Sequence, residues 1–123
     1  MICVYPAGKI QGDSLLESLR NINAGIEWTA TLRKLGYAPF PVFEDFMDIM
    51  RTDPGIDIEL VYAASLAWLQ RADCMFVTPG WETSYGTKQE IAHCEKHGVP
   101  VFYTLEELAR FRRSKIDEMH TIA

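Results

Sequence analysis

Apolar runs of strand length alternate along this chain with longer stretches whose apolar residues recur at helical spacing. The first run spans residues 1–7, β-branched and aromatic in character, and the turn Gly8-Lys9-Ile10-Gln11-Gly12 ends it. Asp13 or Ser14 can cap the next helix, and Ser14-x-x-Glu17 has the form of a capping box. Leu15, Leu19, Ile22, Ile26 and Ala30 then recur at helical spacing until Gly36 stops the pattern. Asn21, Asn23 and Gly25 weaken the middle of that helix, so a hinge is expected there. Residues 37–42 predict a second strand, at an edge or irregular, because Pro39 and Pro41 remove ladder donors. Residues 43–51 predict a short helix with Phe43, Phe46, Met47 and Met50 on one side. A turn at Thr52-Asp53-Pro54-Gly55 leads to a long helix over 58–71. Residues 74–78 read as a buried strand, 87–97 as a helix stopped by Gly98, and 100–103 as a fourth strand. Thr104-x-x-Glu107 is a capping box that opens the last helix.

Strands that alternate with helices imply a parallel α/β sheet with right-handed crossovers and helices on both faces. The 123 residues suffice for one domain with one core. Strands one and three are expected side by side, so that their carboxyl-end loops face one crevice. The net charge of −5 argues against nucleic acid as a partner. The basic residues Arg110, Arg112, Arg113 and Lys115 read as a solvated helix end that the helix dipole favours. Cys3, Cys74 and Cys94 are an odd set without a Cys-x-x-Cys, a reduced pattern that points to the cytoplasm. No apolar run approaches a membrane span and no signal-peptide layout opens the chain, so no membrane partner is expected.

The chemistry concentrates in Thr78-Pro79-Gly80-Trp81-Glu82-Thr83-Ser84-Tyr85-Gly86-Thr87-Lys88-Gln89-Glu90. This loop follows a strand, is rich in glycine and hydroxyls, and delivers a carboxylate at the start of a helix. Open α/β sheets bind ligands at that place, and a helix amino terminus offers N–H groups to an anion. Thr87 to Glu90 also spells a capping box, in which Glu90 would only reach back to the Thr87 amide. In the first loop Lys9 is a candidate phosphate partner, and Tyr5 can stack or donate its hydroxyl; a plain tight turn is the competing reading. His93 and His97 have zinc-compatible spacing but lack further ligands, so an exposed helical face is favoured and no metal is expected. Glu44, Asp45, Asp48, Asp53, Asp57 and Glu59 read as a solvated face. No Gly-x-Ser-x-Gly elbow and no Walker pattern occurs.

Taken together, these residues resemble the nucleoside 2-deoxyribosyltransferase-like superfamily, most of all its small prokaryotic and phage-type members. The resemblance runs through Tyr5-x-Ala7-Gly8-x-x-x-Gly12, Asn21-Ile22-Asn23-x-Gly25-Ile26 and Leu35-Gly36-Tyr37-Ala38-Pro39-Phe40. It continues through Leu66-x-Trp68-Leu69-x-x-x-Asp73, Pro79-Gly80-Trp81-Glu82-x-Ser84-x-Gly86-x-x-x-Glu90 and Gly98-x-Pro100-Val101. It implies a Rossmann-like doubly wound parallel sheet of about four to five strands. It also implies cleavage of N-glycosidic bonds without a cofactor. Glu90 maps onto the family's nucleophile, Ser84 onto a 5′-phosphate contact, and the loop from Gly8 to Gly12 onto the pocket lining. Relatives are homo-oligomers in which a neighbouring subunit completes the site. The aspartate that usually assists the leaving base is here Ser65, which leaves Asp73 as the nearest sequence candidate. The proline that often follows the first glycine is here Lys9. A second resemblance, through the Pro-Gly…Gly-Thr-x-x-Glu loop, is to cytokinin-activating phosphoribohydrolases, which cleave the same type of bond.

The reading is therefore N-glycosidic cleavage or transfer on a nucleoside or nucleoside 5′-monophosphate. Glu90, Tyr5 and Asp73 are its catalytic candidates. Gly8, Lys9, Ile10, Gly12, Trp81, Ser84, Gly86 and Thr87 are its binding candidates. A homo-oligomer is expected from the apolar faces of the two long helices. The alternatives are a non-catalytic nucleotide-binding module, which Ser65 favours, and a scaffold in which Glu90 is only a cap.

Overall fold

The computed structural model describes residues 1–122. In chain order it comprises β1 (Cys3–Ala7), α1 (Leu15–Lys34), β2 (Ala38–Pro39), α2 (Val42–Thr52), α3 (Ile58–Leu69), β3 (Cys74–Val77), a single 3₁₀ turn (Trp81–Thr83), α4 (Tyr85–His97), β4 (Val101–Phe102) and α5 (Leu105–Ile122). The four strands form one parallel sheet in the order β2-β1-β3-β4. The chain leaves β1 toward one edge and returns on its other side, so β1 and β3 flank the point where the winding reverses. Among the described residues no helix is long and apolar enough to cross a membrane.

Alternation along β1 and β3 divides the core between the two faces. Val4, Cys74 and Phe76 point to one side, where Leu32 of α1 and Leu108 of α5 cover them. Tyr5, Ala7, Met75 and Val77 point to the other, where Leu69 of α3 and Cys94 of α4 cover them. The sheet is thus doubly wound, with all eleven of these strand residues and covering partners withdrawn from solvent.

The prolines shape the edge. In β2 the Ala38 and Phe40 amides donate to the Ile2 and Val4 carbonyls, each at 2.9 Å. Pro39 and Pro41 alternate with these donors, so their missing N–H groups fall on the side away from β1. The register ends at Val4↔Pro39. Past it, the Phe40 carbonyl turns to accept from Val42 at 2.9 Å. Pro6 therefore lies in a central strand, yet on the β2 side no partner extends to the level of its missing donor. The expected strand over 37–42 shrinks to two residues for this reason.

The expected hinge in α1 is absent; the helix is continuous from Leu15 to Lys34. Gly25 is buried, and a Cβ there would collide with the Phe43 ring of α2. Asn21 donates its side-chain amide to the Ile10 carbonyl at 3.2 Å, fastening the first loop to the helix. Both residues serve packing and loop attachment rather than flexibility. The basic cluster also differs from expectation, because α5 runs on well past it. Arg112 donates to the Leu35 carbonyl at 2.7 Å and lies 4.2 Å from the centre of the Tyr37 ring, tying α5 to the end of α1.

Gly25→Ala should destabilise the fold by about 1–3 kcal/mol through overpacking, despite alanine's better helix propensity. Chemical denaturation of Gly25→Ala, Phe43→Leu and the double variant checks this. Phe43→Leu should relieve part of the cost, and strictly additive losses would show that the two residues do not press on each other.

Candidate functional site

The β1–β3 register runs from Val4↔Cys74 to Ala7↔Val77, so the first loop and the loop after β3 leave the sheet side by side. Gly8 lies against Thr78, and a Cβ at this glycine would overlap the Thr78 hydroxyl. The first loop is pinned rather than open. The Gly12 amide donates to Ser18 Oγ at 2.9 Å, and Glu17 accepts from the Asp13 amide at 3.1 Å. Lys9 lies 3.9 Å from the same Glu17 carboxylate, so its charge is already partly balanced.

In the second loop Ser84 is the N-cap of α4, not Thr87. Ser84 Oγ accepts from the Thr87 amide at 3.2 Å and shares a hydrogen bond with the Thr87 hydroxyl at 2.9 Å. One hydroxyl proton satisfies that pair, so the other remains available to a ligand. Gly86 is exposed in the first helical turn, where amides have no intrahelical acceptor. Trp81 is half-buried and packs on Tyr103 with ring centres 5.3 Å apart.

The helix start at Tyr85 releases Glu90 from the capping role. It falls in the second turn of α4, half-buried, and meets Tyr5 in a hydrogen-bonding interaction. Burial pushes the Glu90 carboxyl from the usual 4.5 up to about 7, and the Tyr5 hydroxyl pulls it back only in part. Tyr5 is itself buried, and burial together with the Glu90 charge raises its phenol far above the ordinary value. Ser65 of α3 pulls the phenol the other way, as expected of a hydroxyl that donates to its oxygen. Two helices thus bring Ser65 and Glu90 onto one phenol hydroxyl, which stays protonated and faces the carboxylate as a donor. The Tyr5 ring stacks on Phe40 at 5.9 Å, and Phe40 stacks on Trp68 at 5.1 Å. Beside Ser65, a cavity of about 130 Å³ opens between α2 and α3, with Phe40, Trp68 and Asp45 in its lining.

Asp73 does not join this cluster. Its Oδ2 accepts from the Cys3 amide at 2.8 Å, at the amino-terminal end of the sheet. It lies four residues, or about 13 Å along the strand, from the end where the two loops emerge. Sequence reasoning named Thr78 at the head of the loop and Asp45 on a solvated face but gave neither a place at the site, where Thr78 lies against Gly8 and Asp45 lines the cavity beside Ser65. Only the side-by-side placement of β1 and β3, and of α2 and α3, reveals them. The other acidic residues divide by role: Asp57 caps α3, accepting from Glu59 at 3.0 Å, and Asp48 pairs with Arg51 at 2.7 Å.

His93 and His97 pack against each other, tilted by 44° with ring centres 4.3 Å apart, and His97 Nε2 meets the Gln70 amide nitrogen at 3.1 Å. Burial, then the nearby His97 and Lys96, hold the His93 ring below its ordinary value. Among the described residues, no group of three or more His, Cys, Asp or Glu side chains is arranged to hold a metal ion. Burial pushes the Cys74 and Cys94 thiols up to about 12 and about 11, so neither supplies a thiolate near neutral pH. No family model, no curated protein and no solved structure matches this chain.

A carboxyl group raised in the folded state binds a proton that the unfolded chain has already lost. Glu90 therefore contributes stability that is fully present below about pH 4.5 and is lost as pH rises through about 7. The span is at most about 3 kcal/mol. Glu90→Gln should flatten this decline. Urea unfolding of both proteins between pH 5 and pH 8 tests it, and parallel profiles would show that the carboxyl is not raised.

Proposed function

We propose that this chain cleaves or transfers the N-glycosidic bond of a nucleoside or nucleoside 5′-monophosphate. The observation that carries the reading is the convergence of Glu90 and Ser65 on the Tyr5 hydroxyl, beside the loops that leave β1 and β3. A carboxyl near 7 is divided between its two forms at neutral pH, and the ionised form is the nucleophile. Its oxygen attacks the anomeric carbon while the carbon–nitrogen bond breaks, and the electron pair leaves with the base, which takes a proton. The transition state carries oxocarbenium character, which the carboxylate also stabilises electrostatically. Water then attacks the glycosyl ester, releases the sugar and restores Glu90; a second base in place of water gives transfer.

Anion binding falls to the start of α4. The spare hydroxyl proton of the Ser84–Thr87 pair and the first-turn amides near Gly86 suit a 5′-phosphate. Lys9 adds positive charge from the first loop, shared with Glu17. We also propose a homo-oligomer, which is supported by α3. This helix is apolar on every side, yet Leu60, Tyr62 and Trp68 are each more than half exposed. The three free cysteines and a nucleotide substrate fit the cytoplasm.

Incubation with a panel of nucleosides and monophosphates, with free base read by chromatography, tests the reaction. Glu90→Ala should lower base release by several orders of magnitude, since the nucleophile is gone. Nucleotide binding without release by the parent protein would instead establish the binding module that Ser65 favours. Tyr5→Phe removes the donor that lowers Glu90. The rising limb of the pH–rate profile should then move to higher pH. An unmoved limb with a lower maximum would reduce Tyr5 to a packing role.

A further inference from the structure

We propose that Asp45 selects the base by accepting a hydrogen bond from an exocyclic amino group, so that the site prefers amino-bearing bases to their oxo counterparts. The inference rests on the N-glycosidic reading for what enters the site, and on the cavity beside Ser65 for how it is chosen. That cavity, about 130 Å³, lies between α2 and α3. It equals the volume of about four liquid waters, room for one heterocycle but not for a whole nucleoside. The ring would then enter from the Ser65 end, with the sugar outside toward Tyr5 and Glu90 and the ring edge that bears the exocyclic group reaching Asp45.

The walls fit a flat ring. Phe40 and Trp68 supply aromatic surface, and Ile49 and Leu60 supply aliphatic surface. Among the described residues that line the cavity, Asp45 is the one charged side chain, and Ser65 is the other polar one. Asp45 lies in the first turn of α2 and is exposed, so it occupies the solvent-facing end of the cavity. Its backbone amide donates to the Pro41 carbonyl at 3.0 Å, as the helix requires. Its carboxylate has no hydrogen-bond or ion-pair partner among the described residues. Its neighbours on the acidic stretch differ: Asp48 is paired with Arg51 and Asp57 caps α3. A free acceptor thus stands at the solvent-facing end of a slot whose lining is otherwise apolar but for Ser65.

An ionised carboxylate only accepts hydrogen bonds. An amino group on the ring edge meets it as a donor. A carbonyl oxygen at the same place meets it as a second acceptor, and both lose water without compensation. Cytosine against uracil and adenine against hypoxanthine differ in this group at nearly constant shape. Ser65 does not discriminate, because a hydroxyl serves as donor or acceptor alike.

The test uses Glu90→Gln as the background, so that nucleotides bind without turnover. Calorimetry gives the dissociation constants of the cytidine, uridine, adenosine and inosine 5′-monophosphates. The amino member of each pair should bind about tenfold tighter, as a charge-assisted bond at an exposed site allows. Adding Asp45→Asn, which is isosteric and adds a donor, should erase or reverse the preference. Adding Asp45→Ala should erase it without reversal, which separates loss of the carboxylate from the new amide. Melting curves confirm that each variant is folded. A preference unchanged by Asp45→Asn, no preference in the background protein, or no binding of any of the four nucleotides overturns the proposal. Failure of the reaction itself reads differently: the parent protein then releases no free base, while the binding preference and its dependence on Asp45 persist.

Discussion

Parallel pairing of β1 with β3 is the constraint on which the rest of the molecule depends. It joins residues some seventy positions apart and sets Tyr5 against Met75 and Ala7 against Val77. Because side chains alternate, this register also decides which helices may cover which face. A slip of one residue would turn Tyr5 toward α1 and α5, and neither Ser65 nor Glu90 could then reach its hydroxyl. Asp73 sits at the far end of the same pairing, where its carboxylate closes the ladder onto the Cys3 amide. A residue that sequence proximity nominates for chemistry thus belongs to the register that makes the chemistry geometrically available.

The alternation of strands and helices was legible because period two and period 3.6 are strong signals, and the loop after β3 stood out as a candidate because it follows a buried strand. What escaped reading is instructive. Residues 84–87 hold two hydroxyls that can each cap a helix, and only the backbone path decides between them. Ser84 wins, and the choice moves Glu90 from a cap to a half-buried carboxyl. Gly25 looks like a weak point in a helix; it is the hollow that receives the Phe43 ring. Asp45 looks like one of several solvated acids, and nothing local marks it off from Asp48. The last two depend on a contact between distant segments, which no local pattern encodes.

The Tyr5 hydroxyl shows how burial and charge are balanced at the site. A phenol in the core requires a partner. Ser65 and Glu90 approach it from two helices and act on its proton in opposite directions. The same burial makes ionising Glu90 costly, and the phenol offsets only part of that cost. A carboxyl held near neutrality is thus a by-product of packing an aromatic residue well. As pH rises the ionised share of Glu90 grows while the stability it contributes is lost.

The outermost strands, β2 and β4, have two residues each. An exposed strand edge is a template on which another chain can pair, and short edges remove that template. Pro39 and Pro41 take away two more donors from the outer side of β2. Copies of this protein therefore have almost no backbone by which to zip edge to edge into a continuous sheet. The sheet is sealed at both margins by brevity, and at β2 by proline as well, so any stable association between copies must be made by side chains on helices, where shape can limit its growth to a closed assembly.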